Sequence, residues 1–294
     1  MKANRGWSLI ELMIAMTITL GIGMIAFQLF QQNERVFRDQ NQILEMQQTA
    51  RAVATQIADE IRMAGQGVPV YSATFDTVPQ EAVQFLLSGS NATTIRFRAD
   101  SRNVYTTVNS PTAYTIGSTA NAAVQDAQVF AATVGATPSP GTFAYLWGPT
   151  ANGWGWVRVE LGAITTATNT MSVTPRQSGT TGLTFAGKQT LSLEEGVAFR
   201  LDGERTVRAV VTNFTNLTTP TWQESELGRN IATLNFTYSD ASGYAVDVST
   251  LAGRASVRRV DVRLVARTST NLSNGTRPSH SINLQTYLRN APVF

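Results

Sequence analysis

From Trp7 to Phe27 the chain reads WSLIELMIAMTITLGIGMIAF, 21 residues whose only charge is Glu11. At ~1.5 Å per residue a helix of that length reaches ~31 Å, enough to cross a hydrocarbon core of ~30 Å. Beyond Phe27 the composition changes but the helical period does not. Leu29, Val36, Ile43, Ala50, Ile57 and Ala64 recur every seven residues, with Phe30, Phe37 and Leu44 beside them. Gln, Asn, Arg, Asp and Glu fill the positions between, which is the pattern of an amphipathic helix. No proline falls before Pro69, and Gly65 and Gly67 supply a stop. The spacing predicts one helix over 7–64, ~87 Å long. Its first half is apolar all round; its second half is apolar on a stripe. That stripe, with Leu29, Val36, Ile43, Ile57 and Ile61, needs an apolar partner. A sheet built from the rest of the chain is the expected one.

After Gly67 the period shortens. Apolar or alternating runs appear at 82–87, 94–99, 128–134, 142–147, 154–161, 197–201 and 207–214. Turn chemistry separates them, such as Thr137-Pro-Ser-Pro-Gly141 and Asn152-Gly153. These read as antiparallel strands. The region 101–190, rich in Ser, Thr, Gly and Ala, reads as strands joined by long loops. The fold class expected is α+β: a long N-terminal helix packed on an antiparallel β-rich head.

Composition narrows the chemistry. The 294 residues hold no Cys and one His, His280. Disulfides, thiolate metal sites and multi-histidine sites are excluded. Charged residues are only 15% of the chain, while Thr occurs 39 times, a balance that favours strands over a helical bundle. No G-x-S-x-G, Walker loop or H-E-x-x-H is present, so no enzyme and no cofactor is expected. Gly21-Ile-Gly23-Met-Ile-Ala26 matches G-x-G-x-x-A but lies inside the apolar run, where it carries no nucleotide reading. Asp202-Gly203-Glu204 and Asp240-Ala-Ser-Gly243 lack the acidic spacing of a calcium loop and read as turns. Trp147, Trp154 and Trp156 cluster about a glycine-rich turn, either as cross-strand packing or as a ligand patch. Arg259, Asp261, Arg263 and Arg267 share one face of a strand.

The leader MKANRG carries Lys2 and Arg5 ahead of the apolar run. That charge placement keeps the leader in the cytoplasm and the bulk of the chain outside. An ordinary secretory signal does not fit, since the apolar run is too long and no A-x-A site follows it. Gly6-Trp7-Ser8-Leu9-Ile10-Glu11 resembles the processing motif of type IV pilins and pseudopilins. The resemblance implies cleavage between Gly6 and Trp7 by a prepilin peptidase, methylation of the Trp7 amine, and a charge-pairing role in assembly for Glu11. Loss of Lys2 and Arg5 takes the formal charge from +3 to +1. The helix end Asp59-Glu-Ile-Arg-Met-Ala-Gly65, the segment 230–240 and the segments 257–268 and 284–290 resemble PilW-type minor pilins and the related J-type pseudopilins of type II secretion. The resemblance covers about the first and last 65 residues.

The organisation it implies is a leader at 1–6, a transmembrane or filament-core helix at 7–30, an amphipathic helix packed on the head at 31–65, and the head at 66–294. The implied function is that of a minor pilin in the initiation and assembly of type IV pili, at the tip. A J-type minor pseudopilin is the alternative, and a tip adhesin or DNA-capturing head is the rival of another class. Implied partners are the bacterial inner membrane, crossed once with the head outside the cytoplasm, the prepilin peptidase, other minor and major pilins, and the assembly platform and ATPase. The pilus or cell surface would be the destination. Nucleic acid would require more basic surface than a net +1 supplies.

Overall fold

A computed structural model of the chain describes residues 9–68, 85–178, 182–214 and 222–288. Helix α1 runs over Leu9–Arg62, 54 residues, or ~81 Å. It stops where expected. Gly65 and Gly67 both take positive φ, +82° and +78°, a region that favours glycine. A Cβ on Gly65 would lie 2.5 Å from the Phe85 ring, and one on Gly67 2.4 Å from Ser192 Oγ. The turn they make returns the chain to the head, with Gly65 N–H donating to Arg98 O at 2.7 Å.

Two antiparallel sheets receive the helix. One has the order β1 (Thr94–Arg98), β10 (Gly196–Asp202), β11 (Arg205–Val211), β12 (Gln223–Arg229). The other is β13 (Ile231–Ser239), β14 (Arg259–Arg267), β15 (Ser279–Tyr287). On β14 the alternation is regular: Val260, Val262, Leu264 and Ala266 are buried, while Arg259, Asp261, Arg263, Val265 and Arg267 are not. The buried row meets Ala50, Val53, Ala54, Ile57 and Ile61 of α1 in one core, which also holds Ile95, Phe97, Val197 and Phe199 from the first sheet. A short helix, α3 (Leu251–Ser256), interrupts the β13–β14 connection and is capped by Thr250, whose hydroxyl accepts from Gly253 N–H at 3.0 Å.

Between β1 and β10 the chain makes an excursion. It leaves at Arg98 and returns at Gly196, which are register partners. In between, β2 (Tyr105–Ser110), β4 (Ala120–Val124), β7 (Thr170–Ser178), β6 (Gly153–Thr165), β5 (Phe143–Thr150) and β9 (Gln189–Leu193) close into a six-stranded barrel. A small ladder of β3 (Ala113–Thr115) and β8 (Gly182–Thr184) flanks it. The barrel has its own core, including Val108, Val124, Leu146, Val157, Val159, Met171 and Leu191. It is an insertion with adjacent ends, seated at the far end of α1, where Gly67 meets Ser192 and Asp100 N–H donates to Gln66 O.

Two expectations are corrected here. The region 101–190 forms a closed barrel, not long loops between strands. Strands β2, β4 and β7 are rich in Thr, Ala and Ser, so their apolar alternation is shallow. Gln128–Val134, expected as a strand, is helix α2. Only Phe130 of α2 is buried, beside Ala127 in the barrel core. One large side chain per two turns, flanked by the helix formers Ala131 and Ala132, satisfies a helix better than a period of two. The run expected over 82–87 is described only from residue 85, where Leu86 makes a single bridge to Phe97.

Candidate functional site: the helix and the faces it leaves uncovered

Every residue of α1 from Leu9 to Arg38 is exposed. In the apolar half this includes Leu9, Ile10, Leu12, Met13, Ile14, Ile18, Ile22, Ile25 and Phe27. Thr17 and Thr19 turn their hydroxyls back onto the Met13 and Ala15 carbonyls, at 2.5 and 2.8 Å. Such back-bonding removes the need for water. The helix is long and apolar enough to cross a membrane and is a candidate anchor. Glu11 lies in its first described turn. A Cβ at Gly21 or Gly23 would meet nothing within 4 Å. Gly6 and Trp7 lie outside the described residues.

The head first touches the helix at Asp39. Ser273, in the β14–β15 connection, donates to the Asp39 carboxylate through both its N–H and its hydroxyl, and Thr270 donates to Gln42 at 3.1 Å. The hydroxyl of Ser273, and after it the Ser273 N–H, holds the Asp39 carboxyl below its ordinary value. Higher up, both carboxylate oxygens of Glu60 accept from Arg208 Nε on β11, at 2.8 Å each, and Gln56 Nε2 donates to Glu60 Oε1 at 3.3 Å.

The predicted seam divides at this level. Ile57 and Ile61 are fully buried, and Ile43 is half-buried against the core. Leu29 and Val36, expected to pack on the head, are exposed by 56% and 47%. Their orientation is right, within ~80° of Ile57 at ~100° per residue. The head simply does not extend down to them: Leu29 is ten residues, ~15 Å, below Asp39. Packing on the head therefore starts near residue 39 and not at 31. The second row is different. Phe30, Phe37 and Leu44 stand ~140–180° around the axis from Ile57. They are exposed by 72%, 68% and 52%, and Leu44, which stands at the level of the head, faces away from it.

The three tryptophans do not form one patch. β5 and β6 alternate between the barrel interior (Ala144, Leu146, Val157, Val159) and its outer face (Tyr145, Trp147, Trp154, Trp156, Arg158). Trp156 is buried in the helix–sheet core with Tyr145, and Trp147 is half-buried against it. Trp147 and Trp156 are cross-strand partners. Trp154 is 52% exposed, with its ring 5.7 Å from that of Trp147 and tilted 43° to it.

A buried ionic cluster, invisible in the sequence, joins barrel to sheet. Glu194, fully buried, accepts from Arg98 Nε at 2.7 Å and Arg158 Nε at 2.6 Å. Burial pushes its carboxyl up, but Arg158 and Arg98 outweigh this and hold it below the ordinary carboxylate range. The buried Tyr145 hydroxyl also bonds Glu194, and burial drives its pKa upward. Next to it Glu195 binds Arg102 at 2.5 Å and Ser101 at 2.9 Å. Asp100 accepts from Val104 N–H and Ser192 Oγ. Burial raises the Asp100 pKa, with those bonds opposing. Every one of these carboxylates is engaged by donors of the protein, so the cluster reads as a lobe junction and not as an acid–base site.

The remaining expectations fall as follows. Arg259 pairs with Asp261 at 3.2 Å, and Arg263 and Arg267 are exposed on the same face. Asp240 Oδ1 accepts from the N–H groups of Ser242 and Tyr244, and Asp202 and Glu204 pair with Arg205 and Arg277. Both acidic turns are thus explained by local bonds. Among the described residues no three His, Asp or Glu side chains converge to hold a metal. No protein-family model, curated protein or solved structure matches the chain.

Proposed function

We propose that the protein is a membrane-anchored filament subunit, a minor pilin of PilW type. The observation that carries this reading is the continuous uncovered apolar surface of α1. It begins as an all-round apolar half and continues, past the end of the span, as the row Phe30–Phe37–Leu44 turned away from the chain's own head. A plain anchor has no use for that row. A subunit whose helix packs beside other helices does. The segments carrying the resemblance also belong together: the helix and strands β13, β14 and β15 pack as one unit. In this reading the leader is removed after Gly6, the helix waits in the inner membrane, and assembly withdraws it into a bundle with other pilins. Glu11 of one subunit then meets a neighbour's Trp7 amine, and a helix at the wrong height loses that pairing.

Intact-mass measurement on protein from its native membrane tests the first step. The expected species starts at Trp7 and has 294 − 6 = 288 residues. A mature form starting at Met1, or beyond residue 27, overturns the reading. Glu11→Ala tests the second step: it is expected to insert and be cleaved normally but to reach the sheared-filament fraction poorly.

A further inference from the structure

We propose that the inserted barrel carries a binding platform for a neutral glycan, centred on Trp154. The inference does not depend on whether the helix enters a filament. It rests on where the β5–β6 hairpin puts its outward side chains and on the charge of the lobe that presents them. The large outward side chains at the turn end of this hairpin are mostly covered. Tyr145 and Trp156 are buried in the helix–sheet core, and Arg158 is held by Glu194. Trp147 closes the rim of that contact. Only Trp154 projects beyond it, an indole 52% exposed and braced by the Trp147 ring.

Among the described residues, those placed around Trp154 by the strand register and the turn are small and uncharged, with one exception. Pro149 stands opposite it in register, and Thr190 stands opposite Trp147. Thr150 and the exposed Asn152 form the turn, with the Thr150 hydroxyl donating to Gly153 O at 2.9 Å. Lys188, exposed two residues before Thr190, is the exception. A single flat aromatic face with a polar rim suits a ligand that is itself apolar on one face and polar at its edges. A pyranose ring has that construction: axial C–H groups on the face, hydroxyls around the rim. A lipid or an apolar helix would require a wider apolar patch than one indole and its brace.

Charge decides between neutral and ionic ligands. Across 105–193 only Asp126, Arg158, Glu160, Arg176 and Lys188 are charged. Arg158 is taken by Glu194, and Glu160 pairs with Arg176 at 2.7 Å. That leaves Asp126 and Lys188 across 105–193, which is too little to steer or hold a polyanion. The lobe also sits at the far end of α1 from the membrane. Phe27 and Arg62 are 35 residues, ~53 Å, apart along the helix, so the platform is held well clear of a bilayer.

The test uses the full chain in phosphatidylcholine nanodiscs, free of glycoside detergent, co-sedimented with cellulose, chitin and cross-linked dextran, and with alginate as the anionic control. At least one neutral glycan should retain the wild type, equally at about 0.05 and about 1 M salt. Trp154→Ala should weaken retention about tenfold or more, with melting unchanged because the ring is at the surface. Trp154→Phe should keep part of the binding, and Lys188→Gln all of it. The proposal is overturned if no neutral glycan retains the protein or if Trp154→Ala binds as the wild type does. It is equally overturned if retention is confined to alginate, or is abolished by salt or by Lys188→Gln.

Discussion

The two halves of α1 are one helix with two environments. Residues 9–38 are exposed on every side, and residues 39–62 place one face in a core where Ala50, Ile57 and Ile61 lose all contact with solvent. Backbone geometry is the same in both. The difference lies in which side chains the helix offers and how far the head reaches. In the upper half, small and β-branched residues alternate (Ala50, Val53, Ala54, Ile57, Ala58, Ile61), so that the strands can approach closely. Gly228 of β12 shows how closely: a Cβ there would lie 2.6 Å from Val53. The lower half carries Leu29, Phe30 and Phe37, bulky residues that no described element of the head covers. Where a helix is apolar and its own fold supplies no cover, the cover must come from outside, from lipid or from another chain.

The largest effect that would test this division is in the upper half. Ile57→Ala removes a fully buried side chain from a core shared by the helix and both sheets. A loss of about 2–5 kcal/mol is expected, read as a drop in melting temperature of the full chain in detergent. An unchanged melting curve would show that the helix is not clamped by the head, and the contrast between the halves would fail.

The helix, its glycine stop and the burial of Ile57 and Ile61 were legible in the sequence because a seven-residue period survives any tertiary context. The extent of the head was not. Leu29 and Val36 obey the same period as Ile57, and periodicity reports which side a residue faces, not whether anything stands there. The barrel was obscured for a different reason. Its strands β2, β4 and β7 use Thr, Ala and Ser where β5 and β6 use larger apolar residues, and it closes by pairing β2 with β9, far apart in sequence. The buried cluster was hidden by its own chemistry. Leu191-Ser-Leu-Glu-Glu-Gly196 reads as a strand ending in an exposed acidic turn, yet Glu194 and Glu195 are both buried. Only the fold brings Arg98 and Arg158 to them.

A middle-sized effect sharpens the boundary from the polar side. Glu60 and Arg208 tie the upper helix to the first sheet, and their side chains are mostly shielded, 17% and 21% exposed. Glu60→Gln should cost about 1.5–3 kcal/mol, the range for a hydrogen bond to a charged group. In a double-mutant cycle with Arg208→Gln most of that cost should be shared. Additive losses would mean that the pair does not couple helix to sheet.

Asp39 marks the lower edge of the head, and its effect is smaller and pH-dependent. Its folded pKa is depressed, chiefly by the Ser273 hydroxyl. A depressed carboxyl stabilises the fold above the ordinary Asp value, near 3.9, and that stabilisation is lost as pH falls through the folded value. Asp39→Asn should therefore loosen the 268–278 connection at neutral pH, seen as faster amide exchange at Ser273. The gap between variant and wild type should close below about pH 4. A gap that persists in acid would show that the side chain acts by shape and not by charge.

The smallest effect on stability belongs to Phe37, and it is the most informative. Phe37 is 68% exposed and lies on the side of α1 away from the head. Surface substitutions of this kind usually stay within about 0.5 kcal/mol, so Phe37→Ser should leave melting unchanged while Ile57→Ala lowers it. It should be inserted and processed like the wild type, because the change lies ten residues beyond Phe27 and outside the apolar span. If another helix covers the Phe30–Phe37–Leu44 row, Phe37→Ser leaves a serine in that contact, and the share of the protein in sheared filaments should fall several-fold against the membrane share. A normal filament share would leave the row without a partner chain and assign it to the lipid surface. A loss of melting temperature would be a different failure, since it would mean that the head covers this side of the helix after all.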